Sequence, residues 1–129
     1  MSIAEPRFHL TVHEVDDRTT VVAVEGEIHV STAPDFSRSL NESIASGRTS
    51  MVIDMTSVEF IDSTGLSVLL NALRRVTRAG GRMVLVCTNP NVLRLFEITR
   101  LDSTFDIESR LTRALELLQS ADGSTSGMP

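Results

Sequence analysis

A chain of 129 residues with a formal charge of -5 has the length of one domain with a sizeable core, and its acidic balance argues against a nucleic-acid binder, which needs a concentrated basic surface. All 12 basic residues are arginine, which removes the P-loop, Schiff-base and receiver-type phospho-aspartate chemistries that use a lysine. A hydrophobic fraction of 41% is ordinary for a globular protein, and no stretch approaches a membrane span or a signal-peptide core, so a cytoplasmic location is expected.

Phe8, Leu10 and Val12 alternate with polar residues, the period of a strand with one buried face. Asp16-Asp17-Arg18 turns the chain into the Val-rich run Thr20 to Ile28, and the two strands are expected to pair as an antiparallel hairpin. His9 and His13 share a face but lie roughly 13 Å apart along a strand, too far to share one metal ion, and read as surface residues. Ser31, Thr32 or Asp35 can cap the helix that follows; Pro34 suits its first turn, Phe36, Leu40 and Ile44 form its apolar stripe, and Gly47 stops it.

Met51 to Met55 is apolar on both faces, as a central strand covered by helices would be. It feeds through Thr56 to Ile61 into Asp62-Ser63-Thr64-Gly65, after which Leu66, Leu69, Leu70, Leu73 and Val76 recur at helical spacing. A helix is therefore expected to begin at Asp62 or Ser63. Asp54 and Asp62 invite a metal or acid/base reading, but no third acidic ligand or histidine has recognisable spacing, so no metal and no cofactor are expected. Arg74, Arg75 and Arg78 cluster on this helix and read as a solvated face, with contact to an acidic partner surface the less common case.

Gly80-Gly81 breaks the pattern before the strand Met83 to Cys87, whose lone thiol reads as a small buried hydrophobe. Asn89-Pro90 opens a short helix with Val92, Leu93, Leu95 and Phe96 inward, and Phe105 to Ile107 can supply an edge strand. The last helix is expected near Glu108 with Leu111, Leu115 and Leu118 as its stripe, and residues 119–129, polar and rich in Gly and Ser, read as a disordered tail. Strands separated by helices after an initial hairpin give an α/β fold, a mixed and mostly parallel sheet of four to five strands with about four helices. Ligands gather at the carboxyl ends of the strands in such sheets, which is where the Asp62-Ser63 turn falls.

The first turn of a helix leaves amide donors unpaired and carries the positive end of the macrodipole. Asp62 or Ser63 can therefore be a plain helix cap, or Ser63 can be an acceptor for a phosphoryl group that the helix terminus stabilises. As a hydrolase nucleophile Ser63 is a weak candidate, because the segment lacks the first glycine of a nucleophile elbow and only His29 could serve as base.

Phe60-Ile61-Asp62-Ser63-Thr64-Gly65-Leu66 resembles the phosphorylation motif of the anti-sigma-factor antagonists, the small free-standing members of the STAS domain family. Val24-Glu25-Gly26-Glu27-Ile28 is similar to the family's strand-ending Gly-Glu-Leu segment, Thr32-Ala33 to the start of its first helix, and Gly80-Gly81-Arg82 to its next turn. The similarity spans about residues 7 to 118, which implies a STAS domain over 1–118 and the tail beyond it. The resemblance implies a binding protein, not an enzyme. Unphosphorylated, it would bind an anti-sigma factor that is also a serine/threonine kinase of GHKL type and so free a sigma factor. Phosphorylation of Ser63 would release the partner, and a serine phosphatase would reset the system. Asp62, Thr64, Gly65, Gly26, Glu27 and His29 are then the expected partner-binding residues, with Gly65 letting the kinase approach closely. The family usually has aspartate or asparagine where this chain has His29, which replaces a fixed acceptor by an imidazole. Some stand-alone members look instead like accessory subunits of ABC-type lipid transporters, and that is the alternative function.

Overall fold

The computed structural model describes the backbone of residues 8–127 and the side chains of residues 8–119. Five strands, β1 (Phe8–Glu14), β2 (Thr19–Ile28), β3 (Ser50–Ile61), β4 (Arg82–Val86) and β5 (Asp106–Glu108), form one sheet in the order β1-β2-β3-β4-β5. The hairpin β1-β2 is antiparallel and every other pairing is parallel. The helices are α1 (Ala33–Ala45), α2 (Ser63–Arg78), α3 (Pro90–Ile98) and α4 (Leu111–Gly127), with a 3-10 turn at Leu101–Ser103.

Strand order follows chain order, so the crossovers through α1, α2 and α3 all step the same way across the sheet. Right-handed crossovers then place all three helices on one face. The packing agrees. Phe36 and Leu40 of α1, Leu66, Leu69 and Val76 of α2, and Val92 and Phe96 of α3 bury against Val22, Val24, Met51, Ile53 and Leu85 in the main core. Fully burying such side chains is worth about 1.5–3 kcal/mol each. The chain returns through α4 over the opposite face, where Ala114 and Leu118 cover Val21, Val52, Val84 and Val86. With both faces covered, β3 is apolar on both sides over Met51–Ile53, as its sequence requires.

Several details differ from the sequence reading. The strand read as Met51 to Met55 does not stop there; β3 continues to Ile61, seven residues beyond Asp54, and the pairing with β2 slips between Ala23 and Glu25. At that irregularity the Asp54 carboxylate accepts the Thr56 amide at 3.1 Å and the Thr56 hydroxyl, supplying acceptors to groups beside the slip in the ladder. In α2 the buried stripe is Leu66, Leu69, Ala72 and Val76, and Leu70 and Leu73 are only half-buried. In α3 only Val92 and Phe96 are buried, while Leu93 and Leu95 are half-buried. The last helix starts at Leu111 rather than near Glu108, with Ala114 and Leu118 buried. Its backbone runs to Gly127, so it enters the stretch read as a polar tail, and the side chains from residue 120 on lie outside the described residues.

Candidate functional site at the start of helix α2

The ends of β2 and β3 lie side by side, with Ile28 paired to Ile61. The chain leaves β3 at Asp62, whose amide donates to the Ile28 carbonyl at 3.1 Å, and turns at once into α2. Asp62 is the N-cap, in extended conformation, and its Oδ1 accepts the Gly65 amide at 3.0 Å. The Asp62 carbonyl accepts the Leu66 amide at 3.0 Å, closing the first helical turn. Of the two capping candidates the carboxylate has taken the role, and Ser63, the first helical residue, is left exposed. Thr64 beside it is half-buried, so the hydroxyl offered most openly to a partner is that of Ser63. At this first position its amide has no acceptor within the helix.

Gly65, expected to give a partner close approach, has a packing role in the structure. It is buried, and a Cβ there would stand 2.6 Å from Ile61 Cγ1 and 2.7 Å from Ile28 Cγ2. Its missing side chain lets α2 seat directly on the paired strand ends. Gly26 is also buried, at φ 96, a left-handed value that glycine adopts without strain. The β2-β3 register shifts again between Gly26 and Glu27, and that shift sets the Ile28–Ile61 pairing beside the site.

The loop after β2 is braced on itself. The Thr32 hydroxyl donates to the Glu27 carbonyl at 2.8 Å and accepts the His29 amide at 3.0 Å. His29 is not a free surface residue, its side chain being 17% exposed. Its Nδ1 accepts the Ser31 amide at 3.2 Å, which puts the ring proton on Nε2, 3.5 Å from Glu27 Oε1. Both imidazole nitrogens thus have partners other than Ser63. The ring also lies 6.5 Å, centroid to centroid, from Phe60.

Sequence reasoning missed the apolar rim of this site. Phe60 is 48% exposed and Val30, in the loop after β2, is 69% exposed. Strict alternation from Val58 would turn Phe60 inward, but the shifted pairing sets Phe60 opposite Glu27 and leaves both Glu59 and Phe60 facing out. Phe60, Ile61, Val92 and Leu95 line a cleft of about 240 Å³ between the end of β3 and α3. Among the described residues no three of His, Cys, Asp and Glu gather closely enough to hold a metal ion, and no helix is long and apolar enough to cross a membrane.

The STAS domain family model matches residues 11–114. The chain is 31% identical over 100 residues to the anti-sigma-B factor antagonist of Listeria monocytogenes, covering 78% of this chain and 88% of that protein. It is 30% identical over 95 residues to the anti-sigma-F factor antagonist RsfB of Mycobacterium tuberculosis, covering 74% of this chain and 77% of that one. Among solved structures, an anti-sigma factor antagonist from Mycobacterium paratuberculosis superposes with a TM-score of 0.82 at 30% identity, over 90% of this chain and 97% of its own. The Bacillus protein SpoIIAA, in its unphosphorylated form, shares the fold at a TM-score of 0.76 and 19% identity, over 87% of this chain and 97% of its own. A mixed five-stranded sheet with its conspicuous serine at the start of α2, matched by these relatives over most of its length, makes this chain a member of the STAS domain family, alongside the anti-sigma factor antagonists.

Proposed function

We propose that this protein is an anti-sigma factor antagonist switched by phosphorylation of Ser63. Unmodified, the face formed by the start of α2, the Glu27–Thr32 loop and the exposed Phe60 would cover an anti-sigma factor, a serine/threonine kinase of GHKL type, and free its sigma factor in the cytoplasm. The observation that carries the reading is the exposed Ser63 at the first position of a capped helix, next to an apolar rim that a partner could bury. Modification there adds about -1.5 to -2 charges beside the carboxylate of Asp62. Desolvating that charge against a partner without a matching basic group costs several kcal/mol, enough to separate the complex. The partner kinase brings ATP and magnesium, and this chain acts as binding partner and substrate. A serine phosphatase returns it to the binding state.

The test is intact-mass measurement after incubation with the kinase that co-purifies with the protein, plus ATP. Wild type gains one phosphate on Ser63; Ser63→Ala gains none and still binds; Ser63→Glu binds at least about tenfold more weakly. A phosphate placed elsewhere, a glutamate variant that binds like wild type, or co-purification with a transporter ATPase in place of a kinase overturns the proposal.

A further inference from the structure

Helix α2 carries a second surface that the proposed switch does not use. Leu70 and Leu73, which the helical pattern assigns to the core, are half-buried and with half-buried Leu101 line a cleft of about 570 Å³. Arg74 and Arg78, both exposed, form one wall of it. Arg74 lies about 16 Å from Ser63 along the helix axis at 1.5 Å per residue, so the two are separate patches on α2.

Among the described residues no carboxylate pairs with Arg74 or Arg78, although the chain as a whole carries -5. Asp102, just past Leu101, is exposed and forms no ion pair with either. Neighbouring Arg75 is engaged by Asn41 of α1 and points to the other side of the helix. Two unneutralised guanidinium groups one helical turn apart, above a leucine floor, are therefore set against the charge of the rest of the molecule.

We infer that this cleft docks an acidic amphipathic helix of a protein partner. Its apolar residues would fill the Leu70, Leu73 and Leu101 trough while carboxylates at i and i+4 meet Arg74 and Arg78. The spacing is the ground for choosing a helix, because residues one turn apart on two packed helices face each other at matching intervals. The planar guanidinium fork then pairs with each carboxylate in two-pronged geometry. Nucleic acid and anionic membrane are the poorer occupants, because an extended polyanion is held by a broad basic surface and two arginines make a small phosphate footprint.

The probe is a fluorescein-labelled 16-residue helical peptide of Glu and Leu, with Glu at i, i+4 and Leu on the adjoining stripe, titrated with the full chain by fluorescence anisotropy. Wild type is expected to bind it. Arg74→Glu/Arg78→Glu should bind at least about tenfold more weakly, and a composition-matched scrambled peptide should bind less well than the patterned one. Amide shifts on binding should map to residues 70–78 and 101–104. Ser63→Glu should leave the affinity unchanged, which separates this surface from the switch. The inference fails if wild type does not bind, if charge reversal is without effect, if the shifts map elsewhere, or if phosphatidylglycerol vesicles or an oligothymidylate bind where the peptide does not.

Discussion

Gly65→Ala sets two physical effects in opposition. Alanine is the better helix former, by about 1 kcal/mol, so helix propensity alone predicts a more stable protein. The geometry predicts the reverse, because the new methyl would lie 2.6 Å from Ile61 Cγ1, 2.7 Å from Ile28 Cγ2 and 3.1 Å from Ile61 Cδ1. Both isoleucines are buried, at 0% and 4% exposure, and both are β-branched and stiff at χ1, so they cannot swing aside. Overpacking a full core costs about 1–3 kcal/mol, and two contacts this short belong in the upper half of that range. After the propensity gain the net loss is about 1–2 kcal/mol, at roughly 3–6 °C of Tm per kcal/mol for a domain of this size. The chain has no Trp and no Tyr, so the assay is urea unfolding followed by circular dichroism at 222 nm. Asn71→Ala, at an exposed position of the same helix, serves as the propensity control and should stabilise slightly. A Gly65→Ala protein at least as stable as wild type would refute the claim that α2 is seated by contact at this glycine.

Asp62→Ala removes the side chain that accepts the Gly65 amide and should cost about 1 kcal/mol in the same assay, with Asp62→Asn retaining most of it; equal losses for both would mean that the carboxylate acts by charge and not as a cap. Burial pushes the Cys87 thiol up from its ordinary value, so Ellman's reagent at pH 8 should label it slowly in the native protein and rapidly in urea. The Arg18 and Thr19 amides, each 2.8 Å from Asp16 Oδ1, hold that carboxyl below its usual range, the Arg18 bond most. A folded-state value that is depressed gives stability present above the unfolded value near 3.9 and lost as pH falls through the folded one. The advantage of wild type over Asp16→Asn should therefore be present at pH 5 and shrink by pH 2, measured as the difference in urea midpoint. Ser63→Glu should shift amide resonances only near residues 27–32 and 60–67; shifts spread through the sheet would indicate a rearrangement instead of a local change of charge.

What the sequence discloses here is periodicity and punctuation. Alternation marks β1 as a strand, although Val12 in its second half is exposed; the both-faces apolar run in β3 and the helical spacing after Gly65 each follow from one local rule, and Asp62-Ser63 marks a helix start by chemistry that acts within a single turn. What stays hidden depends on neighbours. Phe60 faces out because β2 and β3 slip register near Gly26, a property of the pair that neither strand shows alone. Leu70 and Leu73 match the core stripe by spacing, yet small Ala72 is the residue turned inward, because α2 sits close to its neighbours. Likewise Gly65 and His29 look like surface features of a motif until Ile28, Ile61, Glu27 and Ser31 are placed around them.

Those same contacts bear on how a switch at Ser63 would have to operate. Asp62 is held at both ends, its amide on the Ile28 carbonyl and its carboxylate on the Gly65 amide, while Gly65 rests on Ile28 and Ile61. The neighbouring loop is fixed by the Thr32 hydroxyl between the Glu27 carbonyl and the His29 amide. Moving either element would break several of these bonds together, each worth about 0.5–1.5 kcal/mol, and open a cavity in the core. Charge on the Ser63 oxygen meets no such resistance, since that side chain is exposed and the helix terminus beneath it favours an anion. The cheaper route is therefore a change of charge on a stationary platform: modification would leave this protein folded as before and act on the partner that has to cover it.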